Sequence, residues 1–159
     1  MAEEFVVVTG LTELQAKLTN SKTIGVPLRK LLSGIAEHLK GQVQSNMPVD
    51  TGAAKESVVV TQDTDSLPRW AKVSSPLDYV AVLEEGSGPH WPDIESLEPW
   101  ARRHGFASPR RGAFMVARAI ARRGTKAHRM FARAVEQSQG QIDLLVSQAG
   151  KDIVDKLDK

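Results

Sequence analysis

The chain contains no cysteine, so a disulfide framework and a thiolate metal site are both excluded. Aromatic residues make up only 5% of it, against 41% for all hydrophobic residues. A core built from this composition rests mainly on Leu, Val, Ile and Ala. No apolar run approaches the roughly 18 residues that a membrane helix needs. The start, Met1-Ala2-Glu3-Glu4, is acidic and lacks the apolar stretch of a signal peptide. No two histidines have the His-x-x-x-His spacing of a helical metal site, and no Gly-x-Ser-x-Gly elbow, phosphate-binding glycine loop or zinc signature occurs. One further absence is local. Residues 99–135 carry no Asp or Glu at all.

That local absence dominates the charge pattern. The net charge of +2 is small, but the acid-free stretch concentrates the cations. It holds Arg102, Arg103, Arg110, Arg111 and Arg118, followed by Arg122, Arg123, Lys126, Arg129 and Arg133. Residues 1–98 are acidic in balance. Such asymmetry points to a polyanion or to an acidic partner surface. Arginine suits either, because its planar fork gives two parallel hydrogen bonds to phosphate or carboxylate. DNA binding of this kind would be sequence-independent and would weaken as salt rises. The bland alternative is a solvated arginine face. A helix-turn-helix reading at Gly124-Thr125 is disfavoured, since the helix that follows is too long and too apolar along one side.

The apolar periodicity supplies the elements. Phe5–Val8 is a β-branched run ended by Thr9-Gly10, which predicts a first strand. A short helix opens near Thr12. From Pro27 to Asn46 the residues Leu28, Leu31, Leu32, Ile35, Leu39 and Val43 fall at spacings of three and four, which predicts a long helix with Pro27 in its first turn. Gly34 and Gly41 each weaken it by roughly 1 kcal/mol. Pro48 stops the helix. Asp50 and Thr51 can bond nearby amides and Gly52 permits a positive φ, so Pro48 to Gly52 is a well-specified corner into a strand. Strands are expected over 57–61 and 70–74, joined as a hairpin, with a fourth strand or a helical turn over 79–83. Helices are expected over 95–104, 112–123 and 126–155. The last has the stripe Phe131, Val135, Ser138, Ile142, Leu145, Ala149 and Ile153, which packs either on its own domain or on another copy.

The expected fold class is therefore α+β: a small antiparallel sheet of about four strands packed on a long N-terminal helix, with additional C-terminal helices. The division is an α+β domain over 1–136 and a C-terminal helical extension over 137–159, belonging to the same domain or to an oligomer contact.

Candidate chemistry is sparse. His90 has company in Glu84, Glu85, Ser87 and Asp93, and a carboxylate-poised histidine can act as a general base. Gly, Pro and polar residues are, however, what any exposed loop contains. Trp70, Trp91 and Trp100 read as core or edge packing before they read as a stacking platform. The loop carrying Glu85, Gly86, Ser87 and Trp91 is a candidate docking loop, because exposed Trp is a common interface anchor.

Several marks recur in a fixed order. A Leu- and Ala-rich helix over 26–46 precedes Pro48-Val49-Asp50-Thr51-Gly52. Tyr79, Glu84, Glu85, Gly86 and Ser87 follow, and then Gly124, Thr125, Phe131 and Ala134. In this the sequence resembles the gp-ten-like tail-component family of long-tailed bacteriophages, over roughly residues 26 to 136. Two positions depart from the pattern: Ser87 replaces the usual threonine, and Ala127-His128 stand where a proline is expected. The resemblance implies a structural virion protein of the neck or tail-completion region, not an enzyme, with no cofactor and no metal. It implies a homo-oligomeric ring, six-fold by default, meeting neighbouring neck, connector or tail-tube proteins, and DNA if the basic stretch lines the lumen. It implies assembly in the host cytoplasm and residence in the virion, with no membrane partner. The alternative from the residues alone is a non-sequence-specific DNA-binding accessory protein acting through 99–135.

Overall fold

The computed structural model describes residues 11–158. Among them are seven α-helices and one two-stranded antiparallel sheet. In chain order these are α1 (Leu11–Thr19), α2 (Val26–Asn46), α3 (Ala53–Glu56), β1 (Val59–Gln62), β2 (Ala71–Ser74), α4 (Asp78–Glu85), α5 (Ile94–Arg103), α6 (Pro109–Arg123) and α7 (Met130–Leu157). The chain is mixed α+β and mostly helical. No helix among the described residues is long and apolar enough to cross a membrane.

The described residues form two compact units. One draws on 11–38, 60–73 and 138–158, the other on Leu39–Val59 and Ser74–Gln137. Both α2 and α7 contribute a part to each.

In the first unit, the side chain of Asn20 accepts the Lys22 amide at 2.8 Å and opens a single π-helical turn, Ser21–Gly25, that leads directly into α2. The Arg29 side chain of α2 donates to the carbonyls of Asp63 and Asp65, and Ser33 donates to Gln62 at 2.7 Å. The expected contact between sheet and long helix is thus made by the hairpin and the first half of α2. Asp63 organises the hairpin loop. Its amide donates to the Trp70 carbonyl at 3.0 Å. Its buried carboxylate accepts the amides of Asp65 and Arg69, each at 3.1 Å, and Arg69 Nε at 3.3 Å. The far end of α7 is tied down by two lysines: Lys17 Nζ donates to the Leu157 carbonyl at 2.5 Å, and Lys156 Nζ to the Lys22 carbonyl at 3.4 Å. Lys17 satisfies a carbonyl that the end of a helix leaves without a partner.

The second unit is packed with small residues. Ala54, Ala101, Ala113, Ala117 and Ala134 are buried with Val43, Met47, Val58, Val80 and Met130. Helices α5 and α6 pack on each other, and fully buried alanines on both allow a close approach. A core of alanine, valine and methionine is how the chain manages with so few aromatics.

Three expectations change. The sheet has two strands among the described residues, not four. The expected strand Phe5–Val8 lies outside the described residues, and Tyr79–Leu83, expected as a strand or a helical turn, is helical and part of α4. That run is rich in strand-forming types, but it buries Val80 and half-buries Leu83 and Glu84, a spacing of three to four, so tertiary burial overrides propensity. Helix α6 begins three residues early, because Pro109 pre-sets the first turn. Helix α7 begins four residues late, and its buried stripe starts at Met130 and Ala134, leaving Val135 exposed. From Ser138 the stripe runs as expected. Leu145 packs beside Gly34, where an added Cβ would sit an ordinary 3.8 Å away, and Gly41 faces open space, so close approach explains neither glycine.

Two predictions follow from these details. Ser138 is fully buried, and among the described residues its hydroxyl has no hydrogen-bond partner. Removing an unsatisfied buried hydroxyl relieves its desolvation cost, so Ser138→Ala should raise stability by about 1 kcal/mol in urea unfolding. The amides of Asp65 and Arg69 hold the Asp63 carboxyl below the ordinary carboxylate range. Its contribution is therefore complete above the unfolded-state value of 3.8 and disappears as pH falls through the depressed folded value. Urea midpoints measured from pH 6 down to pH 2 should show a shallower acid loss in Asp63→Asn than in the parent chain.

Candidate functional site

The site belongs to the second unit and begins at the corner Pro48–Gly52. Gly52 adopts φ 89° and turns the chain into α3, and the Ala53 amide donates to Thr51 Oγ1 at 3.4 Å. Asp50 does not serve the corner itself. Its carboxylate is held by the guanidinium at the end of α5: Arg103 Nε donates to Oδ1 at 3.0 Å, and Nη2 to Oδ2. His104 Nδ1 lies 4.0 Å from the same Oδ1 and donates to the Trp100 carbonyl at 2.9 Å. The Arg103 bonds hold the Asp50 carboxyl below its usual value and raise that of the guanidinium. The His104 ring stacks on Trp100 at 4.0 Å and 19°. An ion pair and an aromatic stack thus pin the corner to the C-terminal end of α5.

A second attachment joins the end of α4 to the link between α6 and α7. Ser87 and Thr125 exchange backbone bonds, at 3.1 Å and 3.0 Å, and their hydroxyls bond at 2.9 Å. The amides of His128 and Arg129 continue this contact, donating to the carbonyls of Leu83 (2.8 Å) and Glu84 (3.2 Å). The flanking glycines make the approach possible. Gly86 (φ 74°, ψ −174°) and Gly124 (φ 70°, ψ −161°) both occupy a region open essentially to glycine alone. A Cβ on Gly124 would lie 1.9 Å from the Ser87 carbonyl oxygen, and one on Gly86 would lie 2.5 Å from that of Thr125.

Glu84 completes the attachment. Its two carboxylate oxygens accept the amides of Phe131 (2.9 Å) and Ala132 (3.1 Å). A carboxylate from another helix therefore caps the first turn of α7, where it meets unpaired amides and the positive end of the helix dipole. Thr125 lies too early in the chain to cap α7, and its hydroxyl is bonded to Ser87. Arg129, at φ 54°, makes the turn into the helix.

Between these attachments lies an open cleft of about 460 Å³. Pro48, Asp50 and Thr51 line it together with Tyr79, Leu83, Trp100, Arg103, His104 and His128. Residues far apart in sequence, singled out separately, are thus brought to one place: the corner, Tyr79, and the neighbours of the Ser87–Thr125 contact.

The basic residues are distributed more unevenly. Arg110, Arg111, Arg118, Arg122 and Arg123 are all exposed on α6, and among the described residues none of them is in an ion pair. Arg118, Arg122 and Arg123 surround Met115 and Ala119 in a shallow groove of about 520 Å³. Arg102 is exposed at the end of α5, Lys126 in the α6–α7 link and Arg133 in the first turn of α7. Arg103 is committed to Asp50, and Arg129 pairs with Glu136 at 3.0 Å.

The candidate docking loop divides. Gly86 and Ser87 build the attachment, Glu85 is exposed, and Trp91 remains exposed with its ring edge-on to Phe114 at 5.8 Å. His90 bonds to the Gly88 carbonyl at 3.0 Å and approaches Ser87 Oγ at 3.5 Å. Glu84 is spent on α7, and among the described residues no carboxylate lies within ion-pair distance of His90. Among the described residues no group of three His, Asp or Glu side chains is placed to hold a metal.

Sequence reasoning missed the Arg103–Asp50 pair, the Glu84 cap and the Trp91–Phe114 contact. None of the three left a local signal, since each joins residues far apart in sequence.

Gly124→Ala would force the Ser87 carbonyl away and strain the backbone. It should cost about 2 kcal/mol in urea unfolding, while Gly140→Ala, inside α7 where an added Cβ meets nothing within 4 Å, should raise stability by about 1 kcal/mol, as alanine is the better helix former.

Comparison with protein-family models, with curated proteins and with solved structures yields no match to this chain.

Proposed function

We propose that this protein is a structural virion component of the phage neck or tail-completion region, joining head to tail as part of an oligomeric ring. One observation carries the reading. The marks on which the resemblance rests are parts of one built site: the Pro48–Gly52 corner, Tyr79, the Glu84–Ser87 run and Gly124-Thr125 either bond to each other or line the same cleft. Residues with no shared role in local structure have a shared role in tertiary structure. The mechanism is assembly, in which many modest interfaces close into a ring and the arginine face of α6 meets an acidic surface. The double variant Arg118→Glu/Arg122→Glu should keep its fold by circular dichroism and lose head-to-tail joining in a complementation assay. Normal joining by that variant would remove the arginine face from the mechanism.

A second reading, a DNA-binding accessory protein, is favoured by the five exposed arginines of α6 that lack a carboxylate partner among the described residues. Filter retention of duplex DNA at 50 mM and 200 mM salt separates the two. Several phosphate contacts would make retention fall steeply between those concentrations. No retention at the lower salt would remove the DNA reading.

A further inference from the structure

Helices α4 and α6 carry opposite charge in the same pattern. Along α6, Arg111, Met115, Arg118 and Arg122 fall at i, i+4, i+7 and i+11, so they share one face. Along α4, Asp78, Val82 and Glu85 fall at i, i+4 and i+7. The first face reads cation, apolar, cation; the second reads anion, apolar, anion, with the same spacing. Helix α6 contains five arginines and no acid, and α4 contains three acids and no base. Both faces are exposed, and each leaves large apolar groups in water: Phe114 at 46% and Met115 at 58% on α6, Tyr79 and Val82 at 47% on α4. Among the described residues neither Asp78 nor Glu85 is in an ion pair, and neither are the α6 arginines.

Two exposed, complementary faces within one chain have a natural occupant in another copy of it. We infer that the α6 face of one protomer docks on the α4 face of a second protomer. The apolar centres Met115 and Val82 meet, and the flanking arginines pair with Asp78 and Glu85. Such a contact is heterologous, since each copy offers one face and receives on the other, and it closes into a ring when the rotation per step divides a full turn. Aromatic, methionine and arginine side chains are the types enriched in interface cores, and charge complementarity fixes register and rejects wrong partners. The Ser87–Thr125 contact joins the C-terminal ends of the two helices, so the angle between the faces is set within one compact unit. The inference rests on the ring reading only in requiring that copies meet copies.

The test uses the full chain in sedimentation velocity at 5 to 500 µM and 50 mM salt. The parent chain should associate, and more weakly at 500 mM salt. Two variants, Arg111→Glu/Arg118→Glu and Asp78→Lys/Glu85→Lys, should each weaken association at least about 100-fold, since each sets like charges opposite one another. Mixed in equal amounts they should associate again, because every junction between unlike variants restores opposite charge. Asp78 starts α4, so Val82→Arg, which leaves that start intact, supplies a second acidic-face variant and should also dissociate. All must keep the parent circular dichroism spectrum. A parent chain that stays monomeric, a variant that associates like the parent, or a mixture that stays dissociated would each overturn the inference. If the mixture fails while the arginine variant still blocks head-to-tail joining, the face belongs to a different protein and the virion reading survives. If the arginine variant keeps its mass and loses only DNA retention at low salt, the face belongs to a polyanion.

Discussion

The second unit depends on two backbone segments of a few residues each, 83–87 and 124–129, lying against one another at hydrogen-bond distance. Nothing in the side chains alone would hold them so closely. The contact needs two glycines in conformations closed to other residues, at a cost in chain entropy that ordinary loops avoid. In return it fixes the end of α4, the exit of α6 and the approach to α7 with main-chain bonds. Glu84 then adds a carboxylate to the start of α7, so one short segment defines the boundaries of three helices. The ion pair between Asp50 and Arg103 does the same for the corner and for α5. The cleft is the space these two attachments leave between them.

The small-residue core is the other half of the arrangement. Alanines at 101, 113 and 117 are buried without remainder, which brings helix backbones together and makes packing depend on shape more than on buried area. A chain so poor in aromatics has few large side chains to use as core, and it leaves several of them outside. Trp91 and Phe114 touch each other in solvent, and Tyr79 stands at the rim of the cleft. In a protein with this economy, an aromatic on the surface is an expenditure that interior packing does not explain.

Much of the fold was legible because it follows local rules. The stripe of α2, its stop at Pro48, the hairpin and the helices α5 and α6 all come from spacing and punctuation. What local rules leave open or miss has a common cause. Tyr79–Leu83 has strand composition and helical burial, and only its neighbours decide between the two. The start of α7 is set by Glu84, 47 residues away from Phe131, and no capping rule looks that far. At the site, the corner and the basic stretch were each visible, but the choice of Arg103 among ten cations as the partner of Asp50 was not. The acid-free character of 99–135 was plain in the sequence. What was hidden is that α4 carries the opposite pattern at the same spacing, because Asp78, Val82 and Glu85 share a face only when 79–83 is helical, and the sequence leaves strand and helical turn both open.

The interleaving of the two units bears on how the chain is made. Every segment of the second unit has been synthesised once Gln137 has left the ribosome, whereas the first unit still lacks Ser138 onward. Vectorial synthesis therefore sets an order. The Glu84 carboxylate can seat the first turn of α7 while the rest of that helix is unmade, and later residues extend a helix already nucleated, avoiding the costly first turn. The hairpin and the first half of α2, though made earlier, must wait with their apolar stripe uncovered until α7 grows out to meet them. That interval, between the completion of one unit and of the other, is when the nascent chain is most exposed to wrong association.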